Sequence, residues 1–274
     1  MPYVKMKKIR KHMNNAYTNL VASIKSEPIA EVIVFDGYSG LGYKNPDIVK
    51  ETMYNEMKGK IGSMKAVSDA LGVDSPPLYV VAGATADGIG MCYDVADRLK
   101  TEGFNIQTVG IVSSAATVEE SWGKALPDEQ AKRLNHLVVV DDPNNTWQVL
   151  NDKGQSLMVD IAFASGKPAT FSFYGGGGVA NSELKELDER LNSAQRNIEV
   201  VIRHGEGDFA PREDKAEKKY QQVMEKAVSK GSSPQEAAAK ATVEINGTAA
   251  YQEGTFSKPI PQTPVQAGST MSMG

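Results

Sequence analysis

The chain has 274 residues, of which 41 % are hydrophobic and 23 % charged, the composition of an ordinary globular protein. Its formal net charge of −4 gives no strong nucleic-acid signal, because sequence-independent binding depends on an excess of Lys and Arg. The single cysteine, Cys92, excludes an internal disulfide and is typical of a reducing compartment. No apolar run approaches the ~20 residues that span a bilayer, and the basic N-terminus lacks the apolar segment of a signal peptide. We therefore expect a cytoplasmic protein without membrane insertion.

Short apolar segments recur along the chain and predict six strands. In chain order they are Glu31–Asp36, Leu78–Ala82, Phe104–Val112, Leu137–Asp141, Lys167–Phe173 and Asn197–Arg203. Segments with helical spacing lie between them, at 45–71 with interruptions, at 89–100, at 117–133 with Pro127 near a break, at 146–165 with a weak point at Gly154, and at 179–193. This alternation predicts an α/β fold, a Rossmann-like parallel sheet with helices on both faces.

The two ends of the chain differ from this central α/β region at 29–205. Residues 1–28 are predicted to hold an N-terminal helix whose basic half either faces solvent or contacts an acidic partner. Residues 206–246 are predicted to be a helical appendage with helices at Glu213–Ser229 and Pro234–Ile245, the second one capped by Ser233. Residues 247–274 are rich in Thr, Ser, Gln, Gly and Pro, which predicts a disordered tail.

The stretch Leu78–Lys100 is the first candidate for an anion-binding site, because its strand is followed by a glycine-rich turn and then by a helix. The first turn of a helix has N–H groups without intrahelical partners and a positive potential, which suit an anion such as phosphate. Gly83, Gly88 and Gly90 would let a phosphate come close to the backbone. Their spacing matches neither the dinucleotide fingerprint G-x-G-x-x-G nor a P-loop. The alternative is a tight turn that only connects the strand to the helix.

Other strands also end in turns rich in glycine, serine or aspartate. Ligands of parallel sheets bind beyond the carboxyl ends of the strands, where the strand order reverses. The turns therefore predict a ligand site along one edge of the sheet, with phosphate on the loops 83–90 and 175–178. The candidate ligand-binding residues are Gly37, Ser39, Gly40, Gly83, Thr85, Gly88, Gly90, Ser113, Asp141, Gly175, Gly176, Gly177 and Gly178.

Several of these residues also have a purely structural interpretation. Ser39 and Thr85 either donate to phosphate or belong to ordinary turns, and Asp141 either accepts from ribose hydroxyls or is part of an Asp-Asp-Pro turn. The glycines at 175–178 either admit a phosphate or form a flexible loop. His204, after the last strand, either stacks on a base or is simply exposed. Three scattered histidines and one cysteine have no metal-ligand spacing, so no metal site is predicted.

Three stretches carry a family resemblance. Val32–Gly40 (VIVFDGYSG) joins a strand to a glycine loop, and Val80–Leu99 with Gln107–Val112 joins a glycine turn, a helix and a T-x-G-I strand. Leu137–Asp141 and Thr170–Leu187 supply the late strands and a glycine motif. Together they resemble the SLOG superfamily of Rossmann-like nucleotide binders. The LSDAT branch is the most similar; it forms the N-terminal region of melastatin-type TRP channels and also occurs in bacterial proteins.

The late glycine motif also bears on catalysis. Related phosphoribohydrolases carry P-G-G-x-G-T-x-x-E there, and over residues 175–183 this chain keeps Gly176, Gly177 and Glu183. It has Gly in place of the Pro, Val in place of the third Gly and Ala in place of the Thr, which weakens a carry-over of hydrolase activity. We predict Glu183 at a helix N-terminus, where either the dipole stabilises its carboxylate or the side chain is merely solvated.

The resemblance implies that residues 29–205 bind, and so sense, a nucleotide or nucleotide-sugar such as ADP-ribose or an NAD-derived ligand. One alternative is a phosphoribohydrolase-like enzyme that cleaves an N-glycosidic bond, with Glu183 as the acid/base or the ribose-holding group. The other is an interaction protein that has kept the fold and lost the site. We expect a small-molecule nucleotide as partner and no further cofactor, and we leave homo-oligomerisation and catalysis open.

Overall fold

The structure, a computed structural model, describes residues 15–38, 42–85, 88–113, 131–140, 156–175, 178–193 and 197–246. Six strands form one sheet in the order β4-β3-β2-β1-β5-β6, and every neighbouring pair is parallel. The strands are β1 (Glu31–Gly37), β2 (Leu78–Gly83), β3 (Ile106–Ser113), β4 (His136–Val140), β5 (Ala169–Tyr174) and β6 (Ile198–Arg203). Each predicted strand overlaps an observed one, and the predicted α/β, Rossmann-like fold is confirmed.

Seven α-helices lie within the described ranges. They are α1 (15–26), α2 (Pro46–Leu71), α3 (Cys92–Thr101), α4 (Leu157–Ser165), α5 (Gly178–Ser193), α6 (Glu213–Ser229) and α7 (Pro234–Asn246). Short 3₁₀ turns at Gly88–Met91 and Gly207–Phe209 lead towards α3 and α6. No helix in these ranges is both long and apolar enough to cross a membrane.

Helices cover both faces of the sheet, as predicted. Successive side chains of a strand point to opposite faces, so in β1 Val32 and Val34 pack into one core while Ile33 and Phe35 pack into the other. The first core lies under α1, α4 and α5, and we call this side the α5 face. The second lies under α2 and α3 and also takes in Ile245 of α7; we call it the α2 face. Because both faces are covered, the strands are apolar almost throughout.

The strand order reverses between β1 and β5. From β1 the chain moves outward through β2 and β3 to β4, with α2 and α3 on one face, and then returns past β1 to β5 and β6. Parallel crossovers are right-handed, so the change of direction places α4 and α5 on the opposite face. This reversal is the point at which open α/β sheets bind their ligands.

Two predicted helices differ from the observed ones. The first, α2, is not interrupted, because it runs through Gly59 and Gly62 in one piece. It begins at Pro46, and the side-chain amide of Asn45, at the N-cap position, donates to Asp208 and makes no capping hydrogen bond.

The prediction of one helix over 146–165 is wrong at Ser156, which precedes α4 as its N-cap and accepts a hydrogen bond from Val159 N at 3.5 Å. Residues 1–14, 146–155 and 247–274, and most of the helix predicted at 117–133, lie outside the described residues.

The two predicted helices of the appendage are observed and pack as a hairpin, with Ala227 of α6 and Ala237 and Ala241 of α7 buried. Ser233 caps α7 as expected. Its hydroxyl accepts from Glu236 N at 3.3 Å, and the Glu236 carboxylate accepts from Ser233 N at 2.9 Å. The hairpin is joined to the α2 face, because Ile245 belongs to the core of that face.

Candidate functional site

The carboxyl ends of β3, β2, β1 and β5 lie side by side, since these strands are parallel neighbours. The structure therefore brings four predicted residues to one edge: Gly37, Gly83 and Ser113 end their strands, and Gly175 directly follows β5. Ser39, Gly40, Asp141, Gly176 and Gly177 lie outside the described residues, and their part in ligand binding stays a prediction.

Two of these glycines are required by the packing of the chain itself. A Cβ at Gly37 would lie 2.5 Å from the carbonyl oxygen of Tyr174 and 2.6 Å from the hydroxyl of Tyr43. Gly175 has a φ of +65°, and a Cβ there would lie 2.5 Å from the ring of Tyr38. Close contacts within the protein account for both, so neither glycine needs a ligand to explain it.

The glycines around the turn after β2 differ in how much room the structure leaves beside them. A Cβ at Gly90 would collide with the carbonyl oxygen of Thr85, whose own N–H donates to the Gly83 carbonyl at 2.9 Å. Among the described residues, a Cβ at Gly83 would meet nothing closer than a Thr85 methyl at 4.0 Å. Gly88, with a φ of +63°, opens the 3₁₀ turn before α3. The described residues therefore leave room for a ligand beside Gly83 but not beside Gly90.

A buried pair of carboxyl groups lies at the reversal point. Asp36, the last residue but one of β1, is 7 % exposed, and Glu183 of α5 is 5 % exposed. Asp36 Oδ1 accepts from Gly37 N at 2.7 Å, and Glu183 Oε1 accepts from the hydroxyl of Ser156 at 2.6 Å. Asp36 Oδ2 and Glu183 Oε2 are buried and accept no hydrogen bond from any described group outside the pair. The two carboxyl groups are within hydrogen-bonding reach of each other.

The environment treats the two carboxyl groups differently. Burial raises the pKa of Glu183 well above its ordinary value of 4.5, and the charge of Asp36 and a hydrogen bond to Asp36 raise this pKa further. Burial also raises the pKa of Asp36, but hydrogen bonds from Glu183 and from Gly37 N–H oppose that effect. Of the two groups, Glu183 is the one that favours its neutral form.

The prediction that Glu183 lies at a helix N-terminus is wrong. It follows the first residue of α5, Gly178, by five positions (183 − 178), and the influence of the helix dipole is confined to the first turn. Since the side chain is buried, it is not a solvated helix-start residue either. Burial rather than the dipole determines its pKa, and the direction of the shift is opposite to the one that a dipole would cause.

A chain of hydrogen bonds that involves α4, α5 and α1 holds Ser156, the hydroxyl donor to Glu183, in place. Ser156 N donates to Glu186 at 2.8 Å, and Arg190 donates to Glu186 at 3.1 Å and to Asp160 at 3.2 Å. The hydroxyl of Tyr17 in α1 donates to Asp160 at 2.5 Å. These bonds fix the backbone of Ser156, and with it the hydroxyl that reaches the buried glutamate.

The α2 face holds a second polar cluster at the level of β5 and β6. Glu56 of α2 accepts from the hydroxyls of Ser172 and Tyr174, the latter at 2.7 Å. Nη1 of Arg203 lies 3.4 Å from Glu56 Oε2, and its guanidinium lies over the Tyr174 ring at 4.7 Å from the centroid. Nε and Nη1 of Arg203, and Nδ1 of His204, are buried and find no hydrogen-bond partner among the described residues. His204 is only partly exposed, whereas one of its two predicted interpretations was a fully exposed side chain.

Sequence reasoning missed Asp36 and Ser156 as site residues. Asp36 is the polar end of an otherwise apolar strand, and it points to the same face as Val32 and Val34. A charged residue at such a position was a usable signal. Ser156 carried no comparable signal, because the predicted helix extended through it.

No group of three or more His, Cys, Asp or Glu side chains within the described ranges is arranged to hold a metal ion. No protein-family model matches the chain, and a comparison with curated proteins gives no match either. The fold and the geometry of the edge are therefore what a proposal about function must rest on.

Proposed function

We propose that the chain binds a nucleotide or nucleotide-sugar, such as ADP-ribose or an NAD-derived ligand, at the reversal point between β1 and β5. The observation that carries the proposal is the buried pair of Asp36 and Glu183, with two oxygens that no described group outside the pair satisfies. Two acids buried against each other are costly for folding, and acids with pKa values raised in this way are concentrated at functional sites. Their place at the ligand-binding edge of a parallel sheet supports a role in binding.

Ribose hydroxyls suit these oxygens. A carboxylate near the end of a strand accepts hydrogen bonds from ribose hydroxyls in many dinucleotide-binding sheets. Asp36 and Glu183 each have one oxygen held by the protein and one that remains, so the pair can accept two donors. Because both remaining oxygens are buried in the structure, a ligand must displace what covers them, and we expect binding to be accompanied by local rearrangement.

The N-terminus of α5 suits the phosphate. This helix begins three residues after Gly175, at the same edge, and its first turn contains no acidic residue. In contrast, the first turn of α3 carries Asp94, which is paired with Lys50 at 2.8 Å and with Arg133 at 3.1 Å. The positive end of α5 is thus not neutralised by its own sequence. It lies roughly 7 Å along the helix from Glu183, at 1.5 Å per residue, so one ligand can contact both.

A melting-temperature screen against AMP, ADP, ADP-ribose and NAD tests the proposal. A ligand at about 100 times its Kd stabilises the folded protein by about 2.7 kcal/mol, which raises the melting temperature by several degrees. Gly178→Asp should abolish that rise, because it places a negative charge where the phosphate binds, while an acid in a first helical turn leaves the free protein stable. Gly59→Asp adds the same charge in α2, where a Cβ meets nothing within 4 Å, and should leave binding intact. No response to any of the four ligands would contradict the proposal.

Hydrolysis of an N-glycosidic bond is the second candidate function, and the buried pair of Asp36 and Glu183 also supports it. A neutral Glu183 beside Asp36 offers a proton donor for a leaving base and a negative charge for an oxocarbenium-like transition state. The measurement is release of free base from AMP. General acid catalysis contributes about 10²–10⁴-fold, so turnover by the parent that is lost in Glu183→Gln would establish the enzyme. We expect no more than trace turnover, because the residues before Glu183 depart from the phosphoribohydrolase motif at three positions.

A further inference from the structure

We propose that Asp36 and Glu183 hold one proton between them in the ligand-free protein, and that a ligand hydroxyl which binds to the pair displaces this proton. The ligand part of this inference rests on the proposed function. The proton part rests on the geometry of the pair alone.

The pair of carboxyl groups lacks a hydrogen-bond donor between its two remaining oxygens, and a proton supplies one. The four carboxyl oxygens of the pair have two protein donors, Gly37 N–H and the Ser156 hydroxyl, and the remaining two oxygens have none among the described residues. Two carboxylates in contact and away from water would also repel each other strongly. A single proton on Glu183 that is donated to Asp36 removes one charge and provides the missing hydrogen bond.

The described groups around the pair do not offer a positive charge in its place. From α5, the charge of Glu186 raises the pKa of Glu183 further. From the segment before α2, Tyr43 is neutral, since burial raises its pKa well above the ordinary value and the charge of Asp36 raises this pKa further. Ser156, before α4, contributes only a neutral donor. Arg190, on α5, is engaged by Glu186 and Asp160. Among the described residues, none of the groups that act on the pair is a cation, so a proton is what compensates it.

A ligand that donates hydroxyl hydrogens changes this balance. Hydrogen bonds donated to the charged form of a carboxyl group lower its pKa, and a hydroxyl between the two groups also separates their charges. A sugar diol satisfies both remaining oxygens, and the proton becomes dispensable. By linkage, ligand affinity then rises with pH, by up to about tenfold per pH unit, over the range in which the free pair is protonated.

The first experiment needs no ligand. Infrared spectra at pH 7 should show the carbonyl band of a protonated carboxyl group in the parent and in Glu189→Gln, an exposed position on the same helix. The band should be absent from Glu183→Gln, whose amide keeps a donor towards Asp36 and so preserves the fold. Asp36→Asn provides a second variant without the pair. A parent that lacks the band, or a band that persists in Glu183→Gln, would overturn the proton part.

The second experiment uses ADP-ribose as the probe. Calorimetric titrations at one pH in buffers of different ionisation enthalpy should show a release approaching one proton per ligand for the parent and for Glu189→Gln, and none for Glu183→Gln. Binding without proton release would overturn the inference and leave the proposed function standing. If neither ADP-ribose nor the other nucleotides bind, the proposed function fails and the ligand part fails with it, and the infrared band still decides the proton part.

Discussion

Two glutamates are buried on opposite faces of the sheet, and the protein compensates them in opposite ways. Glu56, on the α2 face, has a side chain that is 10 % exposed and is met by two hydroxyl donors and a guanidinium. Glu183, on the α5 face, is met by one hydroxyl and by a second acid, Asp36. The first arrangement neutralises a buried charge, whereas the second places two acids together at the edge where ligands bind.

The difference separates a structural role from a functional one. A buried glutamate that is paired and fully hydrogen-bonded holds elements together, as Glu56 joins α2 to β5 and β6. A buried acid beside another acid does little for stability, and acids whose pKa is raised in this way are concentrated at functional sites. The comparison therefore supports a structural role for Glu56 and the proposed binding role for Glu183.

The largest effect should come from Glu56→Gln. The change leaves the guanidinium of Arg203, whose side chain is 14 % exposed, without its negative partner. Breaking a buried ion pair from one side costs about 3 kcal/mol, which urea unfolding measures directly. Glu51→Gln on the same helix is the matched control, because its ion pair with Arg98 is more than half exposed on both sides and contributes little to stability. Equal losses in the two variants would show that Glu56 is not structural.

An intermediate effect is expected for Ser156→Ala. The variant loses the hydroxyl that donates to Glu183 and the N-cap of α4, and we expect a loss of about 1–2 kcal/mol in the free energy of unfolding. Because the Ser156 hydrogen bond lowers the pKa of Glu183, its removal should also extend to higher pH the range over which stability falls. Ser63→Ala in α2, where an exposed hydroxyl bonds to the Gly59 carbonyl, should change stability much less. An unchanged pH profile in Ser156→Ala would argue that the serine only caps the helix.

The smallest effect at pH 7 should be that of Glu183→Gln. The amide donates to Asp36 as the neutral acid does, so the free energy of unfolding should stay within about 1 kcal/mol of the parent value. The pH profile is the sharper readout. The folded pKa of Glu183 is raised, so its contribution to stability is fully present below 4.5 and is lost as pH rises through the folded pKa. The free energy of unfolding of the parent should fall as pH rises from 4.5 through the folded pKa of Glu183, and that of Glu183→Gln should not show this fall. A loss as large as that of Glu56→Gln would erase the contrast between the two glutamates.

The elements of the fold could be predicted from sequence because their signals are local. A strand buried on both faces is a short apolar run, and the run at Glu31–Gly37 is visible without knowledge of its neighbours. The capping box of Ser233 and Glu236 and the hairpin of α6 and α7 were likewise readable from residues a few positions apart. Glycine was the weaker signal: Gly37, Gly90 and Gly175 mark the right edge, but contacts within the chain require all three.

What only the tertiary structure decided is which residues meet. The sequence by itself determined an alternation of strands and helices, and therefore a parallel sheet whose strands all end at one edge. The strand order placed β5 beside β1, which brought Glu183 next to Asp36 across 147 positions of sequence (183 − 36). The same order put the two buried glutamates on opposite faces with different partners. No local pattern encodes that difference, because the pKa of a buried acid depends on the charges and donors that folding brings to it, and these come from distant parts of the chain.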